Sequence, residues 1–350
     1  MRKTINILIL CVMFLILTAA PLFSDVPQVN LKSLQKTVDD FSSSLSRSLP
    51  FNSTMGLNWS DAYIGQLIAL PPHFGIGVSS GFTTMDFGSI SNVLNMFDTK
   101  FPLDFDAGFP LPGYTVEARV GGFIIPFDIG VKFGKLNFNP DFLEGLGIGK
   151  PEALDFSMNY TLFGADFRYA LLTGEKVPLR VSLGLGFNYL KGGISMPMPG
   201  GKTIEYKYKD LYGYDDVIRI TKPDLDLKWD SKSIDFKAQA SLRLLGITPF
   251  IGVGASHAWS SAGYEVKSKL TDGDGFPINI QEDTKKALEK YGINNVTKTG
   301  FQQINTETGW SLRTFGGLGL KMTVIRFDLT GMYDFTSGCF GVTVGTRFQL

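Results

Sequence analysis

Apolar and polar positions alternate with a period of two through most of this chain, and the pattern is sharpest in its last stretch. From Cys339 to Leu350, Phe340, Val342, Val344, Thr346, Phe348 and Leu350 share one face of an extended strand, and Gly341, Thr343, Gly345, Arg347 and Gln349 share the other. Such a strand carries an unpaired edge, and closing against the first strand of the series would satisfy it. The same device recurs at 73–84, 114–124, 126–134, 156–171, 179–189, 233–244, 250–259, 310–322 and 325–335. Counting the terminal stretch, the series predicts about ten strands.

What lies between the apolar residues separates two all-β architectures. In a soluble sandwich the apolar rows face inward and the other face carries mainly Lys, Glu and Thr. Here the intervening rows are Gly, Ser and charges of both signs, which suits a confined, curved interior with the apolar rows turned to lipid. Tyr160, Tyr189, Trp229, Trp259, Trp310 and Tyr333 are expected near strand ends as interfacial girdles. A change of phase at Leu162-Phe163 predicts a bulge there. Short turns near Ile124-Ile125, Thr173–Pro178, Leu244–Thr248 and Thr323-Val324 alternate with long links at Met85–Pro112, Asn137–Ala153, Ser195–Lys222 and Asp272–Phe301. Short turns on the periplasmic side and long loops outside give an antiparallel transmembrane β-barrel of about ten strands, or twelve if a further pair joins the wall. Both termini are then expected on the periplasmic side.

Ahead of this series the period changes. Leu31, Leu34, Val38, Phe41 and Leu45 recur at intervals of three and four, predicting an amphipathic helix that is either a plug, a periplasmic partner surface or a helix packed across the barrel's base. The stretch Leu57–Leu67 reads as a short strand or part of the same lid. Earlier still, Arg2 and Lys3 precede an apolar run ending before Asp25, a secretory signal with cleavage expected after Ser24. Cys11 follows the bulky Leu10 and makes a poor lipoprotein site, so Cys339 is the one mature cysteine, expected at a hairpin tip. The organisation is therefore residues 1–24 as signal peptide, 25–70 as helix and plug or lid, and 71–350 as barrel.

Composition changes the picture little. The 350 residues include 40 Gly and 29 Phe, with charged residues at 19 %, and removing Arg2 and Lys3 leaves a net charge of −2. That balance gives no basis for nucleic-acid binding. The charges on the inward rows are Glu117, Arg119, Asp128, Lys132, Asp166, Arg168, Arg180, Asp235, Lys237, Arg243, Arg313, Lys321, Arg326, Asp328, Asp334 and Arg347. They predict either a polar conduit for solutes or an ion-paired filling that shuts the lumen, because unpartnered buried charges are costly. His73 and His257 have no nucleophile or carboxylate at motif spacing, so no catalytic residues are assigned and the chain is not expected to be an enzyme. The glycines of 183–187 and 316–320 follow strand period rather than a phosphate loop. Asp272, Asp274, Glu282 and Asp283 lack the order of a calcium loop, so no metal and no cofactor is expected. The segment 283–292 reads as a short capped helix.

Two resemblances complete the reading. Thr343, Gly345, Phe348 and Leu350 resemble the C-terminal signal read by the outer-membrane barrel assembly machinery. Asp61–Leu67 and Pro71–Phe82, with the strand and loop layout downstream, resemble outer-membrane barrels of spirochaetes, some of them similar to the FadL-type long-chain fatty-acid transporters. The resemblance implies an outer-membrane location, with lipid, the assembly machinery and a small or hydrophobic solute as partners. The expected function is passive passage of that solute; the alternative is a closed barrel displaying its loops for adhesion or host interaction.

Overall fold

A computed structural model describes residues 31–68, 72–85, 109–138, 157–175, 177–197, 204–209, 215–271, 286, 296–297 and 300–350. The signal segment, the acidic loop residues and all of the expected helix at 283–292 except Lys286 lie outside the described residues. The helix α1 spans Leu31–Asn52. The strands are β1 (Phe74–Met85), β2 (Phe109–Gly121), β3 (Phe127–Phe138), β4 (Ser157–Thr173), β5 (Leu179–Pro197), β6 (Ile204–Lys209), β7 (Asp215–Leu242), β8 (Ile247–Thr271), β9 (Val296–Thr297), β10 (Gly300–Met322), β11 (Ile325–Asp334) and β12 (Phe340–Gln349).

Ten of these close a ring of antiparallel neighbours, and β6 and β9 only extend it. The ring closes where the terminal alternation requires, with β12 pairing β1 from Gly75↔Gln349 to Thr83↔Gly341. Each wall strand turns large apolar side chains outward. Ile76, Val116, Val131, Phe163, Leu185, Phe236, Val253, Leu318, Leu329 and Val344, one from every strand of the ring, keep between 41 % and 58 % of their surface exposed. A continuous apolar belt of this kind is untenable in water and marks a membrane-spanning barrel.

One rim gathers the short connections at 122–126, 174–178, 243–246 and 323–324, together with the start of β1 and the end of β12. The opposite rim gathers the long ones and the tight β11–β12 hairpin, which holds Cys339 buried. The wall is very uneven. β7, β8 and β10 run for 28, 25 and 23 residues, whereas β11 and β12 have 10 each. Since about 10 residues of tilted strand cross a bilayer, a tall ribbon stands on the long-loop side. Part of the expected 195–222 link is therefore strand, and the register shift between Thr221 and Asp224 falls beside Pro223, which cannot donate to a ladder.

Two expectations about β4 and the girdle are corrected. β4 keeps one phase through Leu162-Phe163, with Met158, Tyr160 and Leu162 buried, and its irregularity lies between Ala170 and Leu172. Trp259, Trp310 and Tyr333 face out, but Tyr160 and Trp229 are buried inside. The cause is common to both: the N-terminal segment fills the inside of the barrel, so apolar residues are at home on the inner face as well.

Candidate functional site: the filled lumen

The N-terminal segment runs through the barrel. Near the long-loop end of β10, the Asn305 amide donates to the Asp39 carbonyl at 3.2 Å. Further down, Phe51 seats in a collar of Phe250, Phe315, Met332 and Cys339. From Ser48 to Ile64 every residue is buried, and at the short-turn rim the Gln66 amide donates to the Ile124 carbonyl at 2.8 Å. The segment is thus a plug that traverses the lumen, rather than a helix across the base. The amino end of α1 sits on the long-loop side, opposite the C-terminal strand end.

Small polar residues let the helix fit a narrow bore. Ser48 and Ser53 turn their hydroxyls back to the carbonyls of Leu45 and Pro50 at 2.9 and 2.7 Å, and the Ser53 hydroxyl also lies 3.1 Å from that of Ser233 on the wall. The chain then bends at Gly56 and Leu57, both with positive φ. At Gly56 a Cβ would also strike Thr115 and Glu117 of β2, so only glycine is accommodated.

Below the bend the plug is irregular, and irregular backbone at membrane depth must be satisfied by protein. The wall charges do this. Lys132 Nζ donates to the carbonyls of Ser53 and Met55 at 2.8 and 2.7 Å. Gln239 donates to the Trp59 carbonyl at 2.7 Å, Arg168 to that of Asp61 at 2.9 Å and Arg180 to that of Tyr63 at 2.6 Å. In return the Ile64 amide donates to Asp128 at 3.2 Å. The Trp59 indole donates to Glu117 at 2.5 Å and lies between the guanidiniums of Arg347 and Arg119, 4.6 and 5.5 Å from the ring.

Of the sixteen charges read from the sequence, Glu117, Arg119, Asp128, Lys132, Asp166, Arg168, Asp235, Lys237, Arg313, Arg326, Asp328, Asp334 and Arg347 are buried within the barrel. They form compact sets. Arg119 joins Asp128 and Asp166 at 2.6 and 2.8 Å, Arg168 grips Asp128, and Lys237 reaches Asp166 at 2.5 Å. Arg313 holds Asp235 through two bonds of 2.7 and 2.8 Å. Asp334 instead accepts from Ser311 at 2.9 Å and caps the β11–β12 turn through Ser337. Arg180, Arg243 and Lys321 sit at the short-turn rim and are more open. Of the terminal signal residues, Thr343 and Gly345 face inward and Phe348 faces out, while Leu350 donates its amide to the Phe74 carbonyl at 3.1 Å.

Asp61 is the residue that sequence reading missed. Arg180, Arg243, Arg326 and Arg347 all point at its carboxylate, the first two at 3.2 and 3.1 Å and Arg347 at 3.0 Å. A carboxylate buried this deeply is costly alone, and the four guanidiniums supply its counter-charge. Inward glycines were the available signal. A Cβ at Gly75 would meet the Trp59 ring, at Gly113 the Met55 side chain, at Gly121 the Gly65 carbonyl and at Gly319 the Ser60 hydroxyl. Gly121→Val is therefore expected to cost about 1–3 kcal/mol by overpacking, read as a lower midpoint for loss of heat-modifiable gel mobility. Gly331→Ala, whose Cβ would meet only the Gly316 carbonyl at 3.9 Å, should leave the midpoint unchanged.

The fold and its interior define a ten-stranded transmembrane β-barrel closed by its own N-terminal segment. The chain belongs to the Lsa36-like family, whose sequence model matches residues 74–350. No curated protein matches it. Among solved structures it is similar to a major outer membrane protein from Thermus thermophilus, at 9% identity and a TM-score of 0.34 over 79% of this chain and 99% of that one. It is also similar to Ail, the attachment invasion locus protein of Yersinia pestis, at 9% identity and a TM-score of 0.27 over 79% and 97%. The toluene transporter TbuX of Ralstonia pickettii matches at 8% identity and a TM-score of 0.25 over 79% and 89%.

Proposed function

We propose that this protein is a plugged outer-membrane barrel whose working surface is its long-loop rim, presented to a partner outside the cell. The carrying observation is the lumen itself: among the described residues a segment buried from Ser48 to Ile64 runs through it and is tied to the wall at both ends. The ribbon of β7, β8 and β10 adds a platform far taller than a bilayer needs, about 50 Å of strand for ~16 surplus residues. The outer-membrane address rests on the apolar belt, the closed antiparallel ring and the signal-like residues at the N-terminus. No catalysis is assigned.

Passage of a small hydrophobic solute, the first expectation from the sequence, requires the plug to leave, and conductance of the purified protein separates the two readings. The FadL-type resemblance gains no support from a ten-stranded wall with a threaded plug. Orientation is tested by cysteine labelling. Lys36 is exposed on α1 and Glu175 is exposed on a short turn. Lys36→Cys should react with a membrane-impermeant maleimide on intact cells, and Glu175→Cys only after permeabilisation. The opposite pattern, or equal protection of both, removes the display reading.

A further inference from the structure

The charges inside the barrel balance nearly one for one except at one place. In the middle of the lumen Arg119, Arg168 and Lys237 face Asp128 and Asp166, and Arg313 faces Asp235. At the short-turn mouth five cations face far less. Arg180, Arg243, Arg326 and Arg347 converge on the single carboxylate of Asp61, and Arg347 also pairs with Asp328. Lys321 stands beside them with no ion pair among the described residues. Three positive charges are left over, or two if the exposed Glu175 of the adjoining turn is counted.

The register makes this surplus costly. Lys321 is directly opposite Arg326, and Arg326 is directly opposite Arg347, so three like charges lie side by side across β10, β11 and β12. Such pairs destabilise a sheet unless something of opposite sign lies between them. Asp61 reaches only part of the row. The Nε atoms of Arg243 and Arg326 are buried without a hydrogen-bond partner among the described residues, and Arg326 is only 4% exposed. The guanidinium fork matches the oxygens of a carboxylate or a phosphate, and several forks around one opening with their carboxylate already shared call for an anion that offers more acceptor oxygens, as a phosphate does. Exposure rises outward from Arg326 to Arg180 and then Arg243, whose side chain is 38% exposed. The site therefore opens to solvent and to the adjoining leaflet.

We propose that the short-turn mouth is a binding site for a phosphate-bearing anion, held by Arg180, Arg243, Arg326 and Lys321 beside the carboxylate of Asp61. The phosphate neutralises the like-charge row and accepts the unpartnered Nε–H groups, and Asp61 holds the arginines in place from the plug side. Free phosphate and a lipid headgroup offer the same chemistry.

Full-length protein, purified in a nonionic detergent and stripped of lipid, would be titrated at low ionic strength with inorganic phosphate and separately with a short-chain phosphatidylglycerol, followed by calorimetry and phosphorus NMR. Saturable binding of either probe is expected, weakened at least tenfold in the double variant Arg243→Gln and Lys321→Gln. Binding of phosphate alone assigns a soluble source, and binding of the lipid alone assigns a headgroup. Absence of saturable binding of both probes, or equal binding by the variant, overturns the proposal. Because both substituted residues sit at the open rim, retained heat-modifiable mobility shows that any loss of binding is not a loss of fold. Lys321→Gln alone, which breaks no ion pair, should reproduce part of the weakening if the double variant fails to fold.

Discussion

Asp61→Asn is expected to lower the stability of the barrel by about 3–5 kcal/mol, the range for leaving buried charges without their counter-charge. Asp61 is fully buried, and the asparagine amide would present two donors to four guanidiniums that need an acceptor. The loss should appear as a lower denaturant midpoint for the folded, fast-migrating form on cold gels. Arg243→Gln, which removes a partly exposed partner, should cost under about 1 kcal/mol. An Asp61→Asn midpoint equal to that of Arg243→Gln would show that the plug is held by something other than this cluster.

The wall was legible because lipid and lumen impose opposite demands on alternate residues. Phe127, Ile129, Val131 and Phe133 against Asp128, Gly130, Lys132 and Gly134 can be satisfied only by a strand with two unlike sides. The same logic failed in β4. Met158, Tyr160 and Leu162 are apolar yet inward, with the Tyr160 hydroxyl on the Tyr114 backbone beside Met55 of the plug, and alternation does not say which kind of apolar surface a row faces. The plug was opaque for another reason. Trp59, Asp61 and Tyr63 have no period of their own, since their partners lie far along the chain, on Glu117, Arg168, Arg180, Gln239, Arg326 and Arg347. Sixteen lumen charges were readable as wall chemistry. That one carboxylate from the N-terminal segment gathers four of them was not, because that relation exists only once the ring has closed.

Removing the plug should convert a silent protein into a conducting one. In planar bilayers the intact chain is expected to show no steady current, since the lumen is occupied along its length. Deletion of 31–64 removes the carboxylate of Asp61 and leaves ten basic and six acidic side chains on the wall set. The resulting pore should be ohmic and anion-preferring, with a reversal potential in a salt gradient displaced toward that of the anion, because a low-dielectric bore lined by one sign of surplus charge concentrates the opposite ion. Ten strands leave a bore close to what side chains alone can fill, so the released arginines and lysines set its width, and conductance should rise when Arg168 is also shortened to serine. A second route guards against a deletion that fails to fold. Paired cysteines at Ser53 and Ser233, whose hydroxyls lie 3.1 Å apart, would lock the plug by oxidation. Steady current in the locked protein would mean that ions pass beside the segment, and the lumen would have to be regarded as a channel with a bound strand rather than as a closed barrel.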